Sequence, residues 1–375
     1  MPAVHVAQIN FLPVPAGLAS ADVFEQWPTL ADVAEAVASA GTRVSVIQLA
    51  TRPERVQRNG IDYRFIPVPG GAQRTRRLAE LLGEIRPDVL HLHSLGFAAD
   101  AFALAQRLPS LPIVIQDHAD RPPRRWRWPW WRRRYAAAAG IAFTAAELAQ
   151  PFTRAGLFAP HTRLFAIPES SSRFTPGDRA RVRAETGLHG EPCALWVGHL
   201  NSGKDPLAVL DGVASAVQRL PGLQLWCVFG NAPLLEAVRQ RIAGDPRLAG
   251  RVHLLGKVAH ARIEALMRAT DLFVAGSHAE SCGYSLLEAL ACGVAPLVTD
   301  IPAFRALTDD GRIGRLWPCG DAAQLAEALV DVATNGPSPA QVRAHFDATL
   351  SFAALGRRWA GAYAQVRADR LWGPG

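Results

Sequence analysis

The chain has 375 residues, 49% of them hydrophobic, and carries 40 basic and 33 acidic side chains. Because a single hydrophobic core usually stops growing below that length, two domains are expected. No apolar run reaches the ~20 residues of a membrane-spanning helix, and the N-terminus has no basic region followed by an apolar core, so we expect a cytoplasmic protein.

Short β-branched runs alternate with segments of helical periodicity, which is typical of parallel α/β domains. In the first half these runs predict strands at 4–10, 44–48, 62–66, 89–93, 113–116 and 141–144. A break containing Ser and Pro follows at 168–177, and further strands are predicted at 194–197, 223–229, 252–254, 272–275 and 295–299. We therefore place a domain boundary at 168/169. A last helix is predicted at 352–370.

The loop after the first strand, 11–17, does not have the GxGxxG pattern of nicotinamide-binding domains, which disfavours a dehydrogenase. Gly17 is interpreted either as a turn residue or as a glycine that approaches a ligand. His118 follows the strand at 113–116, and ligands of α/β sheets bind at the carboxyl ends of strands. It is therefore a candidate site residue, with a strand-end cap as the alternative. His91 and His93 face one side of a strand and are explained equally well by packing.

One segment concentrates positive charge. Residues 1–168 contain 19 basic and 13 acidic residues, and segment 121–135, RPPRRWRWPWWRRRY, supplies seven of those arginines and no acid. Its interpretations are a membrane interface, a surface for an anionic acceptor, or an ordinary acceptor-side loop; nucleic acid is not expected, because no RNA- or DNA-binding motif accompanies it. The candidate contact residues are Arg124, Arg125, Trp126, Trp128, Trp130 and Trp131.

Gly198-x4-Gly203-Lys204 is close to a Walker A phosphate loop, but Asp205 replaces the Ser or Thr that would ligate magnesium, which disfavours an NTPase. Lys204 remains a candidate phosphate ligand. Lys204 and Lys257 are the only lysines among the 40 basic residues. Both lie in predicted loops, so we interpret them as positions that need a compact ammonium, with chance as the alternative.

Two glutamates lie eight positions apart in the run GSHAESCGYSLLEALACGVAPLVTD, which begins at residue 276. Gly283 allows the backbone to approach a ligand, and a helix that begins near Tyr284 offers its first amides to an anion. Glu280 precedes this helix and Glu288 lies about two turns along it. A sugar joined to a nucleotide diphosphate matches that layout.

The five cysteines are odd in number and lack CxxC spacing, which argues against a disulfide framework or a zinc site. Buried thiols are expected at Cys193, Cys227, Cys282, Cys292 and Cys319.

Glu280-x7-Glu288, followed by Ala-Leu-Ala-Cys-Gly and preceded by Asp-Leu-Phe-Val at 271–274, resembles the donor-site signature of glycosyltransferase family 4. That family consists of retaining enzymes with two Rossmann-like domains that face each other across a cleft, the GT-B fold. Residues 197–200 and 204–206 resemble its phosphate-binding segment, and 252–256 its base-contacting strand and turn. The N-terminal half matches loosely.

The resemblance implies a role for each candidate. Glu280 would bind the transferred sugar, Glu288 the nucleotide ribose, and His118 would lie near the sugar. Lys204, His199 and the amides of Tyr284, Ser285 and Leu286 would stabilise the leaving phosphate, and Gly17, Lys257, Val258 and Gly283 complete the donor site. His199 departs from the family, which usually has arginine there, so that the phosphate site is either weaker or reached by another arginine.

The resemblance also implies a function and a domain assignment. Residues 1–168, joined by a helix at about 352–375, would bind the acceptor, and 169–351 would bind the nucleotide-sugar. The expected reaction is retaining transfer to a glycan, lipid-linked or small-molecule acceptor, without a metal or other cofactor, since no DxD-type ligand pair is present. The alternative is a catalytically silent nucleotide-sugar-binding or scaffold protein; a sugar-nucleotide epimerase or a phosphorylase is less favoured.

Overall fold

The structure is a computed structural model that describes residues 3–15, 17–67 and 70–372. The described residues form two compact units: one extends to Ser170 and includes the residues from Phe352 onward, and the other is Ser171–Ser351. Each unit contains a largely parallel sheet and flanking helices, as predicted.

The first unit has an eight-stranded sheet within the described residues, in the order β3-β4-β2-β1-β5-β6-β7-β8. All neighbouring strands are parallel except β3 and β4. The strands are β1 (His5–Asn10), β2 (Arg43–Leu49), β3 (Glu54–Arg58), β4 (Ile61–Ile66), β5 (Val89–His93), β6 (Ile113–Gln116), β7 (Ala138–Phe143) and β8 (Arg163–Ala166). The helices are α1 (Ser20–Gln26), α2 (Pro28–Ser39), α3 (Gly71–Ile85), α4 (Ala98–Arg107), α5 (Trp128–Tyr135) and α6 (Gln150–Arg154).

The second unit has a six-stranded parallel sheet in the order β11-β10-β9-β12-β13-β14. The strands are β9 (Cys193–Gly198), β10 (Gln224–Phe229), β11 (Val252–Gly256), β12 (Leu272–Ala275), β13 (Ala295–Thr299) and β14 (Arg315–Trp317). The helices are α7 (Arg179–Thr186), α8 (Pro206–Ala216), α9 (Leu235–Ala243), α10 (His260–Arg268), α11 (Tyr284–Ala291), α12 (Pro302–Thr308), α13 (Ala322–Asn335) and α14 (Pro339–His345). The strand order reverses between β9 and β12, which is the dinucleotide-binding pattern.

The last helix, α15 (Phe352–Trp372), packs on α2 and so belongs to the first unit. Its predicted apolar positions are all buried: Leu355, Trp359, Tyr363 and Val366. Gly356 lets the two helices approach closely, because a Cβ added there would lie 2.1 Å from the backbone oxygen of Ala36.

Two sequence predictions need correction. The edge strands β3, β8 and β14 were not predicted, because β3 and β8 are largely exposed and lack a continuous apolar run, and β14 has only three residues. Cys319 is exposed, contrary to expectation, because it lies in the turn between β14 and α13. The other four cysteines are buried, and Cys282 is 3% exposed. None of the helices in the described part of the chain is both long and apolar enough to cross a membrane.

Candidate functional site

Two loops of the second unit, one after β9 and one after β12, meet where the strand order reverses. A Cβ on Gly276 would lie 3.0 Å from the backbone oxygen of Lys204 and 3.1 Å from that of Asp205, so the loops touch because residue 276 has no side chain. The amide of His278 donates to the Gly203 carbonyl at 2.9 Å. In open α/β sheets, ligands bind at this point.

Lys204 and Glu280 form an ion pair across these loops. The Lys204 ammonium donates to Oε1 of Glu280, and the buried Ser277 hydroxyl donates to the same oxygen at 2.7 Å. The lysine and glutamate side chains are 27% and 17% exposed. The two predicted site residues are therefore in direct contact, and a phosphate that binds Lys204 would compete with the carboxylate.

Asp205 has a structural role next to this pair. It adopts φ 45° and caps α8, accepting a hydrogen bond from the Ala208 amide at 3.3 Å. Its second oxygen lies 2.9 Å from Nε2 of His278. The carboxylate that replaces the Walker Ser or Thr therefore holds the loop and the helix start together.

Gly283 precedes α11 with φ 69°, and a Cβ there would come within 3.2 Å of Leu307 and Phe304 side chains. Only glycine fits this position without strain. Of the predicted anion-binding amides, that of Leu286 donates to the Gly283 carbonyl at 3.0 Å, because the first helical turn closes there, and its donor-binding role stays a prediction. Ser285 is half-buried, and Tyr284 is 44% exposed.

Glu288 contacts a residue that the sequence analysis did not identify. Its Oε1 lies 2.7 Å from Nε2 of His260, the first residue of α10. The hydrogen bond that Glu288 accepts from His260 raises the pKa of His260 above its usual range, although partial burial opposes it. The Glu288 side chain is 13% exposed and that of His260 is 70% exposed.

His199 is exposed and accepts a hydrogen bond at Nδ1 from the Asn231 amide, at 3.2 Å. A ring that accepts at Nδ1 offers a ligand only the Nε2 proton, one donor where arginine would offer five. Lys257 is exposed and Val258 half-buried, after Gly256 at the end of edge strand β11.

In the first unit, His118 lies at the carboxyl ends of the neighbouring strands β5 and β6. Its Nδ1 contacts Oε1 of Glu169, and its Nε2 lies 3.1 Å from Nδ1 of His93. Asp120 fixes the loop by accepting from the Leu95 amide at 2.7 Å. From the sequence, Glu169 was placed only in the break between the two domains. Its contact with His118, 51 residues earlier in the chain, has no local sequence pattern.

Burial and charge determine the protonation of this cluster. Burial lowers the pKa of His118, but the hydrogen bond and charge of Glu169 outweigh it, so that the pKa is raised. Burial, with a contribution from Asp120, raises the pKa of Asp117 to about 7. His91 is fully buried, with its Nδ1 2.7 Å from the Tyr363 hydroxyl, and burial lowers its pKa to about 3. His91 is therefore a packing residue.

Gly17 lies in the turn after β1 with φ 90°. It borders a cavity of about 180 Å³ in the first unit. The cavity also has apolar walls from Val14, Leu18, Val23 and Phe65. The predicted contact with donor phosphates stays a prediction.

The segment 121–135 presents two of its four indoles to solvent. Trp126 is 66% exposed and Trp130 61% exposed, and their ring centroids are 6.2 Å apart. Trp128 and Trp131 are half-buried against the core, and Nε1 of Trp128 donates to the Pro123 carbonyl at 3.0 Å. The four indoles thus differ in exposure, and their contact role stays a prediction.

The arginines of this segment surround the indoles. The guanidinium of Arg127 lies 5.6 Å from the ring centroid of Trp126, and that of Arg125 lies 5.7 Å from the ring centroid of Trp128. Arg124 is exposed, whereas Arg132 donates from Nε to the Gly156 carbonyl at 2.9 Å. The surface is cationic and aromatic at once.

Two family models match most of the chain. Residues 191–335 match the model described as "Glycosyl transferases group 1", and residues 26–169 match the "Glycosyl transferase 4-like domain". The chain belongs to the group 1 glycosyltransferases of family 4. The family inferred from the Glu280-x7-Glu288 signature is thereby confirmed.

Curated relatives match part of the chain. It is 30% identical over 197 residues to the D-inositol 3-phosphate glycosyltransferase of Nocardia farcinica, covering 50% of this chain and 43% of the relative. It is 35% identical over 148 residues to the phosphatidyl-myo-inositol mannosyltransferase of Mycobacterium tuberculosis, covering 38% of each. The matches thus span about two-fifths of the length of these relatives.

Solved structures share the fold over the full chain. A glycosyltransferase from Rickettsia africae has a TM-score of 0.72 at 13% identity and covers 100% of both chains. The Anabaena protein HepE, solved with UDP and glucose, has a TM-score of 0.62 at 16% identity and covers 98% of both chains. These likenesses confirm the GT-B fold, with two Rossmann-like domains.

Five neighbours of the candidate residues were missed in the sequence. Gly276, Ser277 and His278 lie within the run that was recognised, but their contacts with the β9 loop depend on strand order. Glu169 and His260 are separated from their partners by 51 and 28 residues and carry no local signal.

Within the ranges that the structure describes, no group of three or more His, Cys, Asp or Glu side chains is placed to hold a metal ion.

Proposed function

We propose that this chain is a retaining, metal-independent glycosyltransferase that moves a sugar from a nucleotide-diphosphate sugar to a hydroxyl of a glycan, lipid-linked or small-molecule acceptor. The observation that carries the proposal is the Lys204–Glu280 pair at the point where the strand order reverses, within the family signature. The UDP and glucose bound to the structurally similar HepE support a nucleotide-sugar donor.

The second unit supplies groups that stabilise the charges formed when the bond between the sugar and the nucleotide diphosphate breaks. Departure of the nucleotide diphosphate places negative charge on the leaving phosphate, which the Lys204 ammonium stabilises. Glu280, released from Lys204 by that phosphate, binds hydroxyls of the transferred sugar. Glu288 binds the ribose once the exposed His260 imidazole moves aside. His118 is the catalytic candidate of the first unit. The acceptor hydroxyl attacks the face from which the diphosphate departs, so that configuration is retained, and its proton passes to the leaving phosphate as the bond between the sugar and the diphosphate breaks.

A panel of UDP-, GDP- and ADP-sugars tests this function. At 100 times its Kd, the true donor stabilises the fold by about 2.7 kcal/mol, which is measured as a raised melting temperature. Slow release of the nucleotide in the absence of acceptor is the catalytic readout. Stabilisation without release at any enzyme concentration indicates the silent nucleotide-sugar-binding alternative, and no stabilisation by any sugar contradicts both.

We also propose that segment 121–135 contacts the inner face of an anionic membrane. The exposed indoles of Trp126 and Trp130 suit the headgroup region, and arginines beside aromatic rings suit anionic lipid. The relative named for phosphatidyl-myo-inositol supports a lipid-linked acceptor. According to this proposal, the protein is cytoplasmic and binds the membrane peripherally.

Replacing Trp126 and Trp130 together by Ala is expected to lower the partition coefficient onto vesicles of anionic phospholipid at least tenfold, about 1.4 kcal/mol. The measurement is vesicle co-sedimentation at low salt, where charge attraction is least screened. Leu164→Ala is the matched control, since Leu164 is 45% exposed on edge strand β8, outside the segment. If the double variant binds as the natural chain does, segment 121–135 is an ordinary surface loop.

A further inference from the structure

Glu169 is held in a fixed position at the edge of the first-unit sheet. The Gln116 amide side chain donates to its backbone oxygen at 3.3 Å, and its own side chain is 11% exposed. Two residues earlier, the amide of Ile167 donates to the Phe143 carbonyl at 2.8 Å, which ties this segment to the end of β7. The carboxylate therefore reaches His118 from a rigid support.

His118 is held on both sides. Glu169 accepts from Nδ1, and the second ring nitrogen, Nε2, faces Nδ1 of His93 at 3.1 Å. The backbone amide of His118 also donates to Asp120 at 3.3 Å, and Asp120 is itself bound by the loop that follows β5. The ring has little freedom to rotate, while its side chain remains 31% exposed.

We propose that Glu169 is a positioning residue for His118: it fixes the orientation of the imidazole through Nδ1 and places a negative charge directly beside the ring. For the role of that ring in sugar transfer, the inference rests on the proposed function. An oriented imidazolium at this edge offers a positive charge to an electron-rich oxygen of the substrate. Glu169 touches His118 and acts through it.

The charges around His118 support this assignment. His118 faces Asp117 and Asp120 of its own loop, His93 of β5, and Glu169 of the segment after β8. The pKa of His93 is lowered well below its usual range, first by burial, so this ring stays neutral and does not oppose the charge. Asp120 already accepts backbone hydrogen bonds, and burial raises the pKa of Asp117, which leaves Glu169 as the direct counter-ion.

The direction of the pH effect follows from these charges. A histidine whose pKa is raised in the folded protein stays protonated to a higher pH than it does in the unfolded chain, and it loses that proton as the pH rises through the folded value. Burial lowers the pKa of His118, and Glu169 opposes it through both its hydrogen bond and its charge, so removing the Glu169 charge is expected to lower the pKa of His118.

Two variants separate charge from orientation. Glu169→Gln keeps an oxygen that can accept from Nδ1 but removes the charge, whereas Glu169→Ala removes both. In a proton–nitrogen NMR titration of the histidine rings, Glu169→Gln is expected to lower the His118 midpoint by about 1 to 3 pH units, as loss of an adjacent opposite charge does. It should retain the proton on Nδ1 in the neutral ring, and Glu169→Ala should lose that preference. Glu80→Gln, at an exposed position of α3, is the control.

The titration needs no substrate, so it tests the inference apart from the proposed function. An unchanged His118 midpoint in Glu169→Gln overturns the inference, whether or not the chain transfers sugar. With the donor identified, transfer by Glu169→Gln at pH 7.5 should fall at least tenfold in kcat, with recovery at lower pH where His118 is protonated again. A loss that is equal at every pH indicates a merely structural role and also overturns the inference. A natural chain that releases nucleotide from no donor contradicts the proposed function alone.

Discussion

Glu280→Gln is expected to lower the rate of sugar transfer by about 10²- to 10³-fold while the fold is retained. The carboxylate is held by Lys204 and Ser277 and is partly exposed beside the glycine-bearing loop, so it is placed to bind a ligand and contributes little to the core. Glutamine keeps the shape and loses the charge. The loss should appear mainly in kcat, because the interaction strengthens as charge develops in the transition state.

The variant is compared with Glu236→Gln, which changes an exposed carboxylate on α9 of the same unit. Thermal unfolding of both variants checks that the fold persists, since loss of a partly exposed ion pair costs only about 0–1 kcal/mol. Full transfer activity in Glu280→Gln, under conditions where the natural chain is active, would remove Glu280 from the mechanism.

The sequence identified the ligand loops because each has a strong local pattern. A β-branched run followed by a glycine or a lysine defines the carboxyl end of a buried strand, and Gly283 before an apolar helix defines a helix start that Leu307 and Phe304 confine. Both patterns are read within about ten residues. For this reason the predicted loops around Lys204 and Glu280 agree with the structure.

Contacts between distant segments could not be predicted in this way. Lys204 and Glu280 are 76 residues apart and meet because β9 and β12 are neighbours in a sheet whose order is not sequential. The contact of His118 with Glu169 likewise requires the segment after β8 to return to the end of β6. Strand order depends on packing of the whole unit, so single-sequence periodicity does not reveal it.

Side-chain exposure within the arginine-rich segment 121–135 could also not be predicted from the sequence. All four tryptophans look equivalent in RWRWPWW, but α5 packs on α4 and buries part of Trp128 and Trp131. The indoles of Trp126, which precedes α5, and of Trp130 stay in solvent. The packing of α5 on α4, which the sequence does not reveal, therefore decides which indoles are exposed.

Lys204→Met is expected to reduce transfer by about 10²- to 10³-fold, the loss typical when one group that stabilises developing negative charge is removed. Methionine has a similar apolar stem and no ammonium, so packing of the loop should persist while the leaving phosphate loses its cation. The measurement is kcat for the donor identified by nucleotide release, together with the melting temperature. Arg219→Met removes an exposed cation of the same unit, paired with Glu327 on the surface, and is the matched control.

The double variant Lys204→Met/Glu280→Gln decides whether the two side chains act as one unit. Because the ammonium and the carboxylate are in contact, the loss in the double variant should be much smaller than the product of the two single losses. Additive losses would show that phosphate stabilisation by Lys204 and sugar binding by Glu280 are independent. In that case, the transfer of the Lys204 ammonium from the Glu280 carboxylate to the diphosphate would have no part in the reaction. A strongly non-additive result makes that exchange the step at which donor binding frees Glu280 for the sugar.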